Sequence, residues 1–167
     1  MYTEEEISYF VDIGKLQINE KEVQWKRKQN YGSYEFRIPV AIIGEDDSLP
    51  ITFLGIASAN YDSFSYSIFW QNCKIRSIDP FTKHHTNKHV DGLSNRKVVG
   101  VHKHKFSSVY KDKTFAYKVT DINNPKDREQ CFYGFLDECN IKHNLIYVRP
   151  PHHQYSLGIS NDMQFSS

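Results

Sequence analysis

From about residue 20 to residue 120 the chain is a succession of short β-favourable runs broken by turn signals, with no sustained helical period. Such a pattern confines the chain to a sheet built from neighbouring strands. Crossover helices are missing between the runs, so a doubly wound parallel sheet is excluded. The runs are Gln24 to Tyr34, Phe36 to Ile43, Ile51 to Ala57, Phe64 to Ile78, Val98 to Phe106 and Phe115 to Val119. Pro39 lies inside the second run, which predicts an edge or a bulge there because proline has no N–H to donate. Phe64 to Ile78 reads as one long strand or a bent pair.

Helical patterns flank this region. Thr3 followed by Glu6 has the spacing of a capping box, and Ile7, Phe10 and Val11 share one face, predicting a helix over 1–14 that Gly14 can end. Pro125 as the first helical residue, acids in the first turn and the stripe Phe132, Phe135, Leu136, Cys139 predict a second helix over 125–140. The expected fold is therefore a single α+β domain over 1–167. A twisted antiparallel sheet or partial β-barrel carries an N-terminal helix and a helix near the C-terminus, and a polar tail over 150–167 is loosely held.

Charge is distributed unevenly. The net charge is +1, yet Lys74 to Lys118 holds eleven Lys or Arg against three acids, a balance of +8, which leaves −7 for the remainder. Five of the eight histidines lie in the same stretch. A basic surface suits nucleic acid, RNA foremost, or an acidic protein partner. The residues expected to make it are Lys74, Lys83, Lys88, Arg96, Lys97, Lys103, Lys105, Lys111 and Lys113. Tyr61, Phe64, Tyr66 and Tyr110 stand near enough in sequence to offer rings for base stacking. There is no run of eighteen apolar residues and no basic-then-apolar leader, so neither a membrane nor export by a signal peptide is expected. Cys73, Cys131 and Cys139 cannot all pair with one another, which predicts reduced thiols and a cytoplasmic setting.

Gly100-Val101-His102-Lys103-His104-Lys105-Phe106 carries the most chemistry. Alternate residues of a strand share a face, so His102 and His104 present two imidazoles together, with Lys103 and Lys105 behind them. Imidazole can serve as base or acid near neutral pH, and a cation steadies a developing phosphorane charge. The leading expectation is a metal-independent endoribonuclease site of His102, His104, His85, Arg76 and Tyr117, with no cofactor. A second reading is a non-enzymatic binder or inhibitor from phage–host conflict, acting through the basic segment. A third is a histidine-ligated metal protein, with His84, His85 or His89 as the further ligand. Phosphate-binding glycine loops, dinucleotide turns and hydrolase elbows are all lacking. Pro150-Pro151-His152-His153 reads as a stiff surface turn.

His85-Thr86-Asn87, Gly92, Gly100-x-His102-x-His104-x-Phe106, Tyr110-x-Asp112-Lys113 and Phe115-Ala116 together resemble a family of small bacterial and phage proteins classed as a domain of unknown function. Its pattern runs Arg-x-Asp, His-x-Asn-x-Asp-Gly, Gly-x-His-x-His-x-Tyr and Asp-Lys-Trp-Ala, and the likeness spans about residues 60 to 140. Here Arg76 and Asp79 are spaced one residue wider, Phe106 replaces the tyrosine and Phe115 the tryptophan. The resemblance implies a bacterial or phage cytoplasmic setting and no particular reaction.

Overall fold

The computed structural model describes residues 3–12, 16–29, 32–44, 51–58, 63–79, 84–87, 97–108 and 114–151. Helix α1, Glu4–Asp12, starts at the expected capping box. The Thr3 hydroxyl accepts from the Glu6 N–H at 3.1 Å, and the Glu6 carboxylate accepts from the Thr3 N–H at 2.8 Å. Ile7 and Val11 are buried.

The strands are β1 (Leu16–Ile18), β2 (Lys26–Arg27), β3 (Ser33–Ile42), β4 (Ile51–Ser58), β5 (Phe64–Trp70), β6 (Cys73–Asp79), β7 (His85–Thr86), β8 (Lys97–Val98), β9 (His102–Phe106), β10 (Thr114–Lys118) and β11 (Ile141–His143). Nine of them form one open sheet in the order β10-β9-β6-β5-β4-β3-β1-β11, with β2 also on β3. The α+β expectation holds. The sheet is mixed rather than purely antiparallel, because β11 pairs with β1 in parallel. A helix separates β11 from the strands before it, and it reaches the far edge without a hairpin to reverse its direction. β7 and β8 make a separate two-stranded ribbon.

Pro39 lies opposite Thr52 of β4, in a stretch of β3 that has no second strand partner among the described residues. β2 pairs only with Tyr34 and Glu35, and β1 only with Ala41 and Ile42. Proline is tolerated in such a stretch, where one side of the strand has no ladder to complete. Phe64 to Ile78 is a hairpin turning at Gln71, whose φ is +53°. Val98 to Phe106 is not one strand. Gly100, at φ +83°, breaks it, so Val98 joins the ribbon and His102 the main sheet.

Helix α2 spans Arg128–Glu138 and starts later than expected, because Asp127 caps it by accepting from the Gln130 N–H at 2.8 Å. Pro125 is left in the turn before. Phe132, Phe135 and Leu136 of α2 pack on the sheet face that carries Phe36, Phe53, Tyr66, Ile68 and Ile78. The Phe132 ring sits 5.5 Å from both Phe53 and Tyr66, centroid to centroid. Phe64 and Tyr66 are thus core residues, which removes them as stacking platforms. Among the described residues no helix is long and apolar enough to cross a membrane. The 150–167 tail expectation falls outside the described residues beyond Pro151.

Cys131 and Cys139 lie inside the core, and neither they nor Cys73 form a disulfide. Burial, with the neighbouring acids, pushes the Cys131 thiol up to about 12 and the Cys139 thiol further still. Thiolate is the reactive form, so a thiol reagent at neutral pH is expected to label native protein at Cys73 alone and all three cysteines in denaturant. Rapid native labelling of Cys139, read by peptide mass spectrometry, would contradict this packing.

Candidate functional site

Strand register sorts the histidines and lysines onto opposite faces. His102 is opposite Asp79 of β6 and Lys118 of β10, and His104 is opposite Ser77 and Ala116. Directly opposed residues point to the same side of a sheet, so these side chains share one face. Lys103 is opposite Ile78 and Tyr117, and Lys105 is opposite Arg76 and Phe115. Those side chains point to the helix-covered face.

A third imidazole arrives on the β7–β8 ribbon. The Asn87 side-chain amide donates to the Ala116 carbonyl at 2.8 Å and accepts from the Ala116 N–H at 2.9 Å. It thereby satisfies both backbone groups of a residue on the outermost strand, as a further strand would. Ala116 is level with His104, so this clamp brings His85, two residues before Asn87, over the histidine pair. The His85 and His104 rings are 4.8 Å apart, His102 and His104 4.8 Å, and His85 and His102 5.9 Å. One ring nitrogen from each lies within 4.8 Å of the other two.

The remaining nitrogens are held from outside the cluster. His102 Nδ1 is 2.7 Å from the Gly100 carbonyl, which can only accept, so Nδ1 carries a proton and Nε2 is the nitrogen left for another partner. His104 Nε2 is 3.3 Å from Asp79 Oδ2, while its Nδ1 is buried and lacks a hydrogen-bond partner among the described residues. Burial works to raise the Asp79 carboxyl, but the hydrogen bond and charge of His104, with Lys74 nearby, outweigh it and hold Asp79 below the ordinary carboxylate range. The Asp79 carboxylate accepts from Nε2 of His104, so Nδ1 is the nitrogen left without a partner among the described residues. The Ser77 hydroxyl, level with His104, is also buried without a partner among the described residues.

Two residues expected at the site lie elsewhere. Arg76 Nη2 pairs with Asp12 of α1 at 3.2 Å, and Nη1 donates to the Ile75 carbonyl. The Tyr117 hydroxyl donates to Glu138 of α2, and burial beside that carboxylate raises it far above a free phenol. Both side chains point away from the histidines because they occupy the other parity of their strands.

Of the expected basic surface, Lys103 is only 1% exposed. Its ammonium bonds both Asp121 oxygens, at 2.8 and 2.6 Å, and pairs with Glu138. Burial acts to depress it, but these two acids outweigh burial and raise it above a free lysine. Lys105 is exposed on the helix side, over the Phe115 ring. Lys74, opposite Phe69, shares the face of Ser77, and Lys97 is exposed on the ribbon. Lys83, Lys88, Arg96, Lys111, Lys113, Tyr61, Tyr110, His89, His152 and His153 fall outside the described residues.

Sequence reasoning missed four contributors. Lys118 is level with His102, Asn87 clamps the ribbon, and Asp121 and Glu138 hold Lys103. Only strand register reveals the first, and only tertiary contact the others. Searches of known family models, of curated proteins and of solved structures find no match to this chain.

Proposed function

We propose that the protein acts on a polyanion, RNA foremost, at the three-histidine site. The supporting observation is that cations share the histidine face of the sheet. Asp121 and Glu138 are engaged with Lys103 on the helix side. On the histidine face, Asp79 is engaged by His104, and Lys74 and Lys118 flank the imidazoles, with Lys97 on the adjoining ribbon. An anionic backbone lying on this face meets cations beside three nitrogen bases. The lysines neutralise phosphates, and the imidazole cluster is where a phosphodiester would be cut.

Binding and cutting are tested separately. Retention on single-stranded RNA is expected to fall steeply with salt, because each neutralised phosphate releases condensed counterions. Lys74→Ala/Lys118→Ala should weaken retention and flatten the log–log salt slope by about 1 for each phosphate no longer neutralised. Cleavage by His85→Ala should fall steeply with retention unchanged, because the imidazole cluster and not the lysines carries the chemistry. Retention that ignores salt and both lysines removes the reading. Salt-dependent retention without cleavage by the parent leaves the non-enzymatic binder in its place.

A further inference from the structure

We infer that His85, His102 and His104 are the protein ligands of one transition-metal ion, zinc foremost, with His102 binding through Nε2 and His104 through Nδ1. This goes beyond the RNA reading and stands on a different observation, the assignment of the ring nitrogens.

Metal-bound histidines nearly always donate their second N–H to a carbonyl or carboxylate, which fixes the tautomer and aims the lone pair. Both kinds of partner are present. The Gly100 carbonyl takes Nδ1–H of His102, and Asp79 takes Nε2–H of His104. The nitrogens left over, Nε2 of His102 and Nδ1 of His104, are then the ones a metal ion would take. One of them, His104 Nδ1, is buried and lacks a hydrogen-bond partner among the described residues. A buried nitrogen without a partner is destabilising, and a metal ion in the cluster would give it one. Donor atoms within 4.8 Å of one another need close by at most about 1.5 Å to reach the spacing of about 3.3 Å set by zinc–nitrogen bonds of about 2.05 Å in a tetrahedron.

The donor type narrows the ion. Three imidazoles suit zinc, copper, nickel, cobalt or ferrous iron, whereas magnesium and calcium require oxygen ligands. Three protein ligands leave a tetrahedral ion one open position, the arrangement of sites that bind water or a substrate oxygen rather than of closed structural sites. Backbone geometry supports a built site. Gly100, at φ +83°, turns the chain so that its carbonyl meets the His102 ring two residues on, and Asn87 fastens the strand that brings His85.

The test uses the full chain, purified without chelator and analysed by inductively coupled plasma mass spectrometry. The expected content is about one transition metal per chain. After exhaustive dialysis against EDTA, titration with zinc should restore one equivalent and raise Tm, and cobalt should give the intense visible absorption of a tetrahedral nitrogen site. Magnesium should do neither. His102→Ala/His104→Ala should abolish binding, and His143→Ala, whose ring stacks on Tyr133 away from the cluster, should retain one equivalent. Should the double variant not fold, Asp79→Asn keeps all three ligands and is expected to weaken zinc binding about 10–100-fold, the usual effect of losing an outer carboxylate. The inference is overturned if the folded, stripped parent takes up neither zinc nor cobalt, or if the folded double variant binds zinc as the parent does. Salt-dependent RNA retention measured in EDTA reports on the lysines alone, so failure of metal binding and failure of the RNA reading are told apart.

Discussion

Lys103→Ala is expected to destabilise the protein by about 3–5 kcal/mol, the range seen when one member of a buried charge pair is removed. For a chain of this size that lowers Tm by roughly 10 °C. Three losses coincide. The lysine stem leaves a hole in a packed layer, because the side chain is among the largest fully buried ones. Glu138, with its side chain only 18% exposed, loses its ammonium partner. Tyr117, bonded to the same carboxylate, is left to satisfy a buried charge alone. Asp121 suffers less, because its side chain is half exposed and can turn to water.

Lys103→Met/Glu138→Gln should recover much of the loss, since it removes both charges and keeps the volume. The pH dependence has a definite sign. Lys103 is raised in the fold, so its contribution is complete below the ordinary lysine range and fades only as pH climbs through the raised value. Asp121 has a lowered folded pKa, where burial is outweighed by the Lys103 bond, so its contribution is present above the ordinary carboxylate range and lost on acidification. The gap in Tm between parent and Lys103→Met is therefore expected to be level around neutrality and to shrink below about pH 4. A Lys103→Ala protein melting within about 3 °C of the parent, less than 1–2 kcal/mol on this scale, would show that the network contributes little.

Gly55→Ala is expected to cost about 3 kcal/mol, at the upper end for overpacking, although it adds one methyl group to an ordinary extended backbone. Gly55 is level with Phe36, and the ring lies across it. A Cβ built at Gly55 sits 2.0 Å from Phe36 Cε1 and 2.4 Å from Cζ, closer than any real contact. Escape is blocked, because edges of Trp25 and Phe53 meet that ring with centroids at 4.8 and 5.1 Å, and Phe132 caps it at 6.2 Å. Gly55→Ala/Phe36→Leu should cost less than the sum of the two single changes, the mark of residues competing for one volume. Strict additivity in urea titrations would place the strain elsewhere.

Much of this architecture is legible in the order of residues. Thr3 and Glu6 state where α1 starts, and the apolar stripe of α2 states which face it buries. Alternation alone sets His102 and His104 on one side of β9 and Lys103 on the other. Register between strands is what alternation cannot supply. Arg76 and Tyr117 have the right chemistry for a phosphodiester site, yet each falls on the parity that faces the helices. Lys103 reads as a surface lysine because its partners, Asp121 and Glu138, are distant in sequence and carry no local signal. The turn at Gln71 has no glycine or proline to announce it, so the sequence leaves Phe64 to Ile78 as one long strand or a bent pair. His85 meets His104 only because the Asn87 amide can imitate a strand, a pairing that no period or motif encodes.

The parallel pairing of β1 with β11 also bears on how the protein is made. Leu16 finds its neighbour at Ile141, and the bridge from Glu22 reaches Ile146. At roughly 5–20 residues per second, the earliest strand leaves the ribosome some 6–25 s before its partner exists. Throughout that interval Leu16 and Ile18, both destined for the core, have their outer neighbour still untranslated, and the Arg76–Asp12 pair joins α1 to strands rather than to the segment that will finish the edge. The nascent protein thus passes through a stage in which most hairpins can form while one border of the sheet waits. That border is where a ribosome-associated chaperone would have its longest opportunity, and where a stalled or prematurely terminated chain would present bare strand to its neighbours.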